Sequence, residues 1–184
     1  MKTQLIRNSI LTIGMILGSG AAQAFAQSNT GTTSVSVVVP AEAAISITTG
    51  TTNLTEATGF FGSPFSGTTA FTYKVRTTKV GGAGTITVKI TTDFPAGGPS
   101  VTTPLTGDAM TYTCTTAASA TPCTGSVTAL TTGYTSVATF ATDAHSTAGT
   151  GSSDAGSVVW TLPNDPIYKT GTYAATATFV IAAT

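Results

Sequence analysis

From Ser34 onward, apolar and polar residues alternate in short runs instead of recurring at helical spacing. Phe71, Tyr73 and Val75 alternate with Thr72, Lys74 and Arg76, and Ile86, Val88 and Ile90 alternate with Thr85, Thr87, Lys89 and Thr91. A period of two places each apolar set on one face of a half-buried strand. Comparable runs cover Ser34–Val39, Ala44–Thr48, Thr69–Thr78, Gly84–Thr92, Ala109–Thr115, Ser126–Leu130, Tyr134–Ala141, Ser157–Leu162 and Thr172–Ala182. Between them lie turn-forming stretches such as 93–99, 148–156 and 163–166, rich in Gly, Pro, Ser and Asp. This many short strands, with no helical period, predict an all-β fold of two packed sheets. Lys79–Ala83 reads as a hairpin joining the two strongest runs. That pairing sets Lys74, Arg76, Lys79 and Lys89 on one solvent face, either as a guard against edge pairing or as a patch for an anionic ligand. The aromatics Phe60, Phe61, Phe65, Phe71, Tyr73, Phe94, Tyr112, Tyr134, Phe140, Trp160, Tyr168, Tyr173 and Phe179 are expected to build the core.

Composition narrows the function. Of the 184 residues, 41% are hydrophobic and only 8% charged, with 20 Gly, 8 Pro and 43 Thr. Few charges with many β-branched residues is the reverse of the disordered signature, and Thr, Gly and Pro disfavour a helical bundle. Of the 7 basic residues, Lys2 and Arg7 fall in the leader described next, so the remainder is slightly acidic. A nucleic-acid partner, which calls for a basic face, is not expected.

Residues 1–26 read as a secretory signal peptide. Lys2 and Arg7 precede the apolar run Ile10–Leu17, and Ala22-Gln23-Ala24-Phe25-Ala26 offers small-x-small cleavage sites. The apolar run is far shorter than the ~20 residues of a spanning helix, so the mature protein is expected not to be an integral membrane protein. It would pass through the periplasm to the cell surface or beyond. Residues 27–40 form an N-terminal extension and 41–184 the sandwich domain. In an oxidising compartment the two cysteines, Cys114 and Cys123, are expected to pair as a disulfide across a short loop of small residues.

Candidate chemistry is sparse. His145, the single histidine, stands two residues from Asp143 in a loop, a poor arrangement for a nucleophilic triad. A loop metal site from Asp143, His145 and Asp154 lacks the dense oxygen ligands of calcium loops, and Gly81-Gly82-Ala83-Gly84 reads as a turn, not a phosphate cradle. Neither an enzyme nor a cofactor-dependent protein is expected.

The two ends carry the functional signal. Ser34-Val35-Ser36-Val37-Val38-Val39 places Val35, Val37 and Val39 on one face, and Pro40 then separates this run from the next. It is either the first strand of the sandwich or a strand offered to another molecule. At the other end, Gly171 is followed by alternation through Tyr173, Ala175, Ala177, Phe179, Ile181 and Ala183. This segment resembles the last strand of chaperone-usher pilins, which place a Gly at that distance from the terminus and alternate apolar residues after it. The chain differs from them at Ala183, where they carry an aromatic, and in its mid-chain cysteine pair.

The resemblance implies an immunoglobulin-like or pilin-like sandwich that lacks one strand. Val35, Val37 and Val39 would be donor residues, and Gly171, Tyr173, Ala175, Phe179 and Ile181 would belong to the acceptor strand or its groove. It also implies assembly of copies or related subunits into a fimbrium or pilus that can serve adhesion, with a periplasmic chaperone and an outer-membrane usher as partners. Burying three valines would contribute roughly 5–8 kcal/mol before ordering costs. The competing reading is a secreted or surface β-sandwich that binds a ligand, such as carbohydrate, without polymerising. An eight-stranded outer-membrane barrel fits the length but not the Thr-rich strands.

Overall fold

The computed structural model describes residues 31–147, 149 and 151–184, so the signal peptide expected at 1–26 lies outside the described residues. The chain divides into a unit ending at Val37 and a folded unit, Val38–Thr184. In the first unit, residues 31–37 carry no strand, and Val35 and Val37 are 90% and 82% exposed.

The second unit is an all-β sandwich of ten strands, with no helix among the described residues. They are β1 (Glu42–Ile47), β2 (Thr55–Glu56), β3 (Phe65–Arg76), β4 (Gly84–Thr92), β5 (Thr111–Thr116), β6 (Thr121–Pro122), β7 (Val127–Thr128), β8 (Thr135–Phe140), β9 (Asp154–Leu162) and β10 (Thr176–Ala183). One sheet has the order β1-β3-β9-β5-β7, with β2 also on β3; the other has the order β10-β4-β8-β6. All pairings are antiparallel.

The alternation read from the sequence holds. Phe71, Tyr73 and Val75 of β3 and Ile86, Val88 and Ile90 of β4 are all buried. The hairpin does not: β3 and β4 belong to opposite sheets, and 77–83 arches between them. Both strands turn their apolar faces inward, so their polar faces look out on opposite sides of the sandwich. Lys74 and Arg76 are thus on one outer face and Lys89 on the other, and the four-cation patch is not formed. Lys89 instead lies over the Tyr134 ring, 5.9 Å from its centroid. Arg76 pairs with Glu42 at 3.2 Å and donates to the Pro40 carbonyl at 2.7 Å, fixing the chain where it enters β1.

Aromatic packing ties the layers together. Across the layers Tyr73 meets Phe140 at 5.7 Å, and Phe179 contacts both Phe71 at 5.8 Å and Trp160 at 6.5 Å, while within one sheet Tyr112 meets Trp160 edge-on at 5.3 Å. Such pairs add ~0.5–1.5 kcal/mol each beyond the area they bury. The buried Trp160 indole N–H is satisfied by Thr69 Oγ1 at 2.8 Å, and the Tyr112 hydroxyl crosses between sheets to Thr135 Oγ1 and the Ser136 carbonyl.

Strand directions define two poles. Connections 57–64, 93–110, 129–134 and 163–175 gather at one, here the upper pole. Connections 77–83 and 117–120, the start of β1 and the end of β10 gather at the other, the lower pole. Phe60, Phe61 and Tyr134, expected in the core, are exposed at the upper pole. Each belongs to a connection, where no facing sheet covers it.

Candidate functional site: an open edge between the two sheets

The sandwich closes differently along its two long sides. On the β7/β6 side, Cys114 of β5 is bonded to Cys123, which follows β6 and extends its pairing through Cys123 N–H to the Val137 carbonyl at 2.9 Å. The disulfide predicted as a local loop closure is therefore also a staple between sheets.

The opposite side is formed by β1 and β10. Among the described residues, β1 pairs only with β3 and β10 only with β4, so each leaves a row of backbone N–H and C=O groups on its outer edge. Their inward faces are incompletely covered. Ala43, Ile45 and Ile47 stand opposite Val75, Tyr73 and Phe71 in register, and Ala177, Phe179, Ile181 and Ala183 stand opposite Ile90, Val88, Ile86 and Gly84. The partners on β3 and β4 are buried, Gly84 excepted, whereas Ile45, Phe179 and Ile181 are half-buried and Ile47 is exposed. Strand edges with accessible apolar inner faces are templates for another strand. At the upper end of this side, β2 brings Glu56 opposite Phe65, and the buried Oε1 of Glu56 has no hydrogen-bond partner among the described residues.

Of the residues singled out from the sequence, Phe179 and Ile181 lie on β10 and line this side. Gly171, Tyr173 and Ala175 do not belong to the strand, which begins only at Thr176. Tyr173 instead lays its ring on Gly98, where a Cβ would come within 2.4 Å of it, and donates to the Gly97 and Lys169 carbonyls. Ala175 packs against the core just before the strand. The run Ser34–Val39, predicted as a strand, carries no ladder bonds, and Val39 is 58% exposed. Pro40 lacks the N–H that would carry a ladder into β1.

His145 is exposed, bridges to the backbone of Arg76, and has Nδ1 3.0 Å from the Asp143 carbonyl oxygen. Asp154 is buried at the start of β9 and accepts bonds from the Ser119 hydroxyl and from Thr147. No group of three potential metal-binding side chains occurs among the described residues, and they contain no helix long and apolar enough to cross a membrane.

Three features were missed in the sequence. Ile45 and Ile47 form the other wall of the open side; their strand was predicted, but not that it would be an edge. Asp93 folds the 93–102 turn around itself, accepting from the N–H groups of Phe94, Val101 and Thr102 at 2.8–2.9 Å and from Ser100 Oγ at 3.0 Å. Burial alone would raise its pKa, but these donors, above all Val101 and Thr102, hold it down at about 2. Finally, Phe60 and Phe61 occupy consecutive left-handed conformations, with φ of 63° and 59°. This costs roughly 1–2 kcal/mol per residue. Ser63 Oγ pins the tip by accepting the N–H groups of Ala57 and Thr58, each at 3.0 Å. Two adjacent Phe next to Gly59 and Gly62 was the available signal.

No family model, curated protein or solved structure matches this chain.

Proposed function

We propose that this protein is an exported structural subunit of a surface fibre or pilus, in which the open side between β1 and β10 receives the Val35–Val39 segment of another copy. The observation that carries the reading is the incomplete cover of Ile45, Ile47, Phe179 and Ile181 on two edge strands whose outer edges have no backbone partner among the described residues. Val35, Val37 and Val39 supply an alternating apolar face of matching kind. A donated strand would extend the ladder of a free backbone edge and lay these valines over the half-covered apolar residues, so assembly needs no catalytic group. Export through a leader, and transient cover of the edges by a chaperone before delivery to an usher, belong to the same reading.

The test is a denaturing gel of the mature protein, unboiled and boiled, beside a form lacking Ser28–Val39 and a Val37→Arg variant. Strand donation gives a ladder that collapses on boiling and is missing from both variants. A single monomer band from the unmodified protein would refute it. The competing reading, a ligand-binding module, draws on the cleft of about 520 Å³ at the upper pole between 94–105 and 167–169. Lys169 and Tyr168 line it beside Leu105 and Ile167, and a monomer that binds glycans there would favour it.

A further inference from the structure

We propose that the Phe60–Phe61 tip is the seat on which the lower pole of the next copy rests in the assembled fibre, an inference that rests on the strand-donation reading. β1 runs from the lower to the upper pole and β10 from the upper to the lower, so a strand added along this side can run either way. A donated strand is separated from the start of its own β1 only by Pro40 and Ala41, a span of roughly 10 Å. The donor's body must therefore lie against whichever pole its strand exits, and it presents its own lower pole, where β1 begins.

If the strand ran parallel to β10, it would exit at the lower pole. Every copy would then need its lower pole both to receive and to donate, which closes a pair and blocks growth. A strand antiparallel to β10 exits at the upper pole, so each copy receives at one pole and donates from the other, and the chain extends. Such a strand is antiparallel to the eight-residue β10 and parallel to the six-residue β1, so the more stable antiparallel ladder falls on the longer edge.

The upper pole is built for such a contact. Phe60 is fully exposed and Phe61 is 60% exposed, with Leu105 and Ile167 also exposed at the same pole. The Phe loop continues directly from β2, which prolongs the β1 edge of the open side along β3, so it stands beside the exit of a strand running this way. Residues 57–64 carry no charge, and the tip is held in a strained conformation by Ser63 instead of folding its rings inward. At the lower pole the arch 77–83 offers Val80, 87% exposed, as an apolar counterpart.

The experiment uses the mature chain carrying both Phe61→Cys and Val80→Cys, treated with a short thiol crosslinker and mapped by peptide mass spectrometry, with the Phe60→Ser/Phe61→Ser double variant alongside. Crosslinks joining position 61 of one copy to position 80 of another, together with loss of the bands above dimer in the serine variant, are expected. Crosslinks of 80 to 80, or a ladder with no 61–80 product, would overturn the pole contact while leaving strand donation standing. Absence of any ladder from the unmodified protein would remove both. Co-sedimentation of the monomer with phosphatidylcholine vesicles, abolished in the serine variant without change in the ladder, would assign the tip to a lipid surface and refute the proposal.

Discussion

Asp93→Asn should weaken the fold at neutral pH and flatten its acid dependence, because the carboxylate is the hub of the 93–102 turn. It accepts three backbone N–H groups and one hydroxyl. An asparagine retains one acceptor oxygen and turns an NH2 group toward at least one of those donors. The pKa falls from 3.8 to about 2, which at ~1.36 kcal/mol per pH unit sets a ceiling of roughly 2.4 kcal/mol. Partial exposure of the group reduces this to about 1–2 kcal/mol by solvent screening. The folded pKa lies below the unfolded one, so this stability is fully present above about pH 4 and is lost as pH falls through about 2. For a domain of this size the variant should melt about 3–6 °C lower at neutral pH. The difference should shrink toward zero near pH 2. The assay is thermal unfolding of both proteins across that range, the variant serving to subtract the other carboxylates. Parallel stability curves, with a constant gap from neutral pH to about pH 2, would refute the assignment of the acid sensitivity to this turn.

Other expectations follow from single contacts. Reduction of Cys114–Cys123, or Cys114→Ser with Cys123→Ser, should cost about 2–3 kcal/mol in urea unfolding, since the bond closes a short loop, and unchanged unfolding would argue against it. Thr69→Val should cost about 1–3 kcal/mol by leaving the buried Trp160 N–H unpaired, read by thermal unfolding and by emission of the single tryptophan. Tyr168 is raised above the ordinary tyrosine range by burial and then by its bond to Asp108, and Tyr73 and Tyr112 are raised chiefly by burial. Because folding raises these pKa values, their stabilisation is complete below the unfolded pKa of ~10 and is lost as pH rises beyond it. Phenolate absorbance should therefore lag a free-tyrosine titration until alkaline unfolding, and Tyr168→Phe should shorten that lag.

Period-two alternation is a local property, and it was enough to identify an all-β sandwich and to name the inward residues of β3 and β4. The cysteine spacing likewise sufficed for the disulfide. Which strands neighbour one another is not local. The 77–83 segment has the composition of a hairpin turn, yet it arches between sheets, because two strands with apolar inner faces can bury them as well by facing each other as by lying side by side. The cation patch failed for the same reason. At the C-terminal end, alternation continues through Tyr173 and Ala175 although the strand starts at Thr176, since Gly98 opens a space that the Tyr173 ring fills.

Alone, then, the sequence determined secondary structure type, the two buried strand faces and the covalent staple, all set by neighbours along the chain. Only the tertiary structure decided that β1 and β10 are the uncovered edges, that the staple lies on the far side, and that Phe60 and Phe61 stand out at one pole. Those properties depend on which elements lack a neighbour in space, and alternation reads the same whether or not a strand has one.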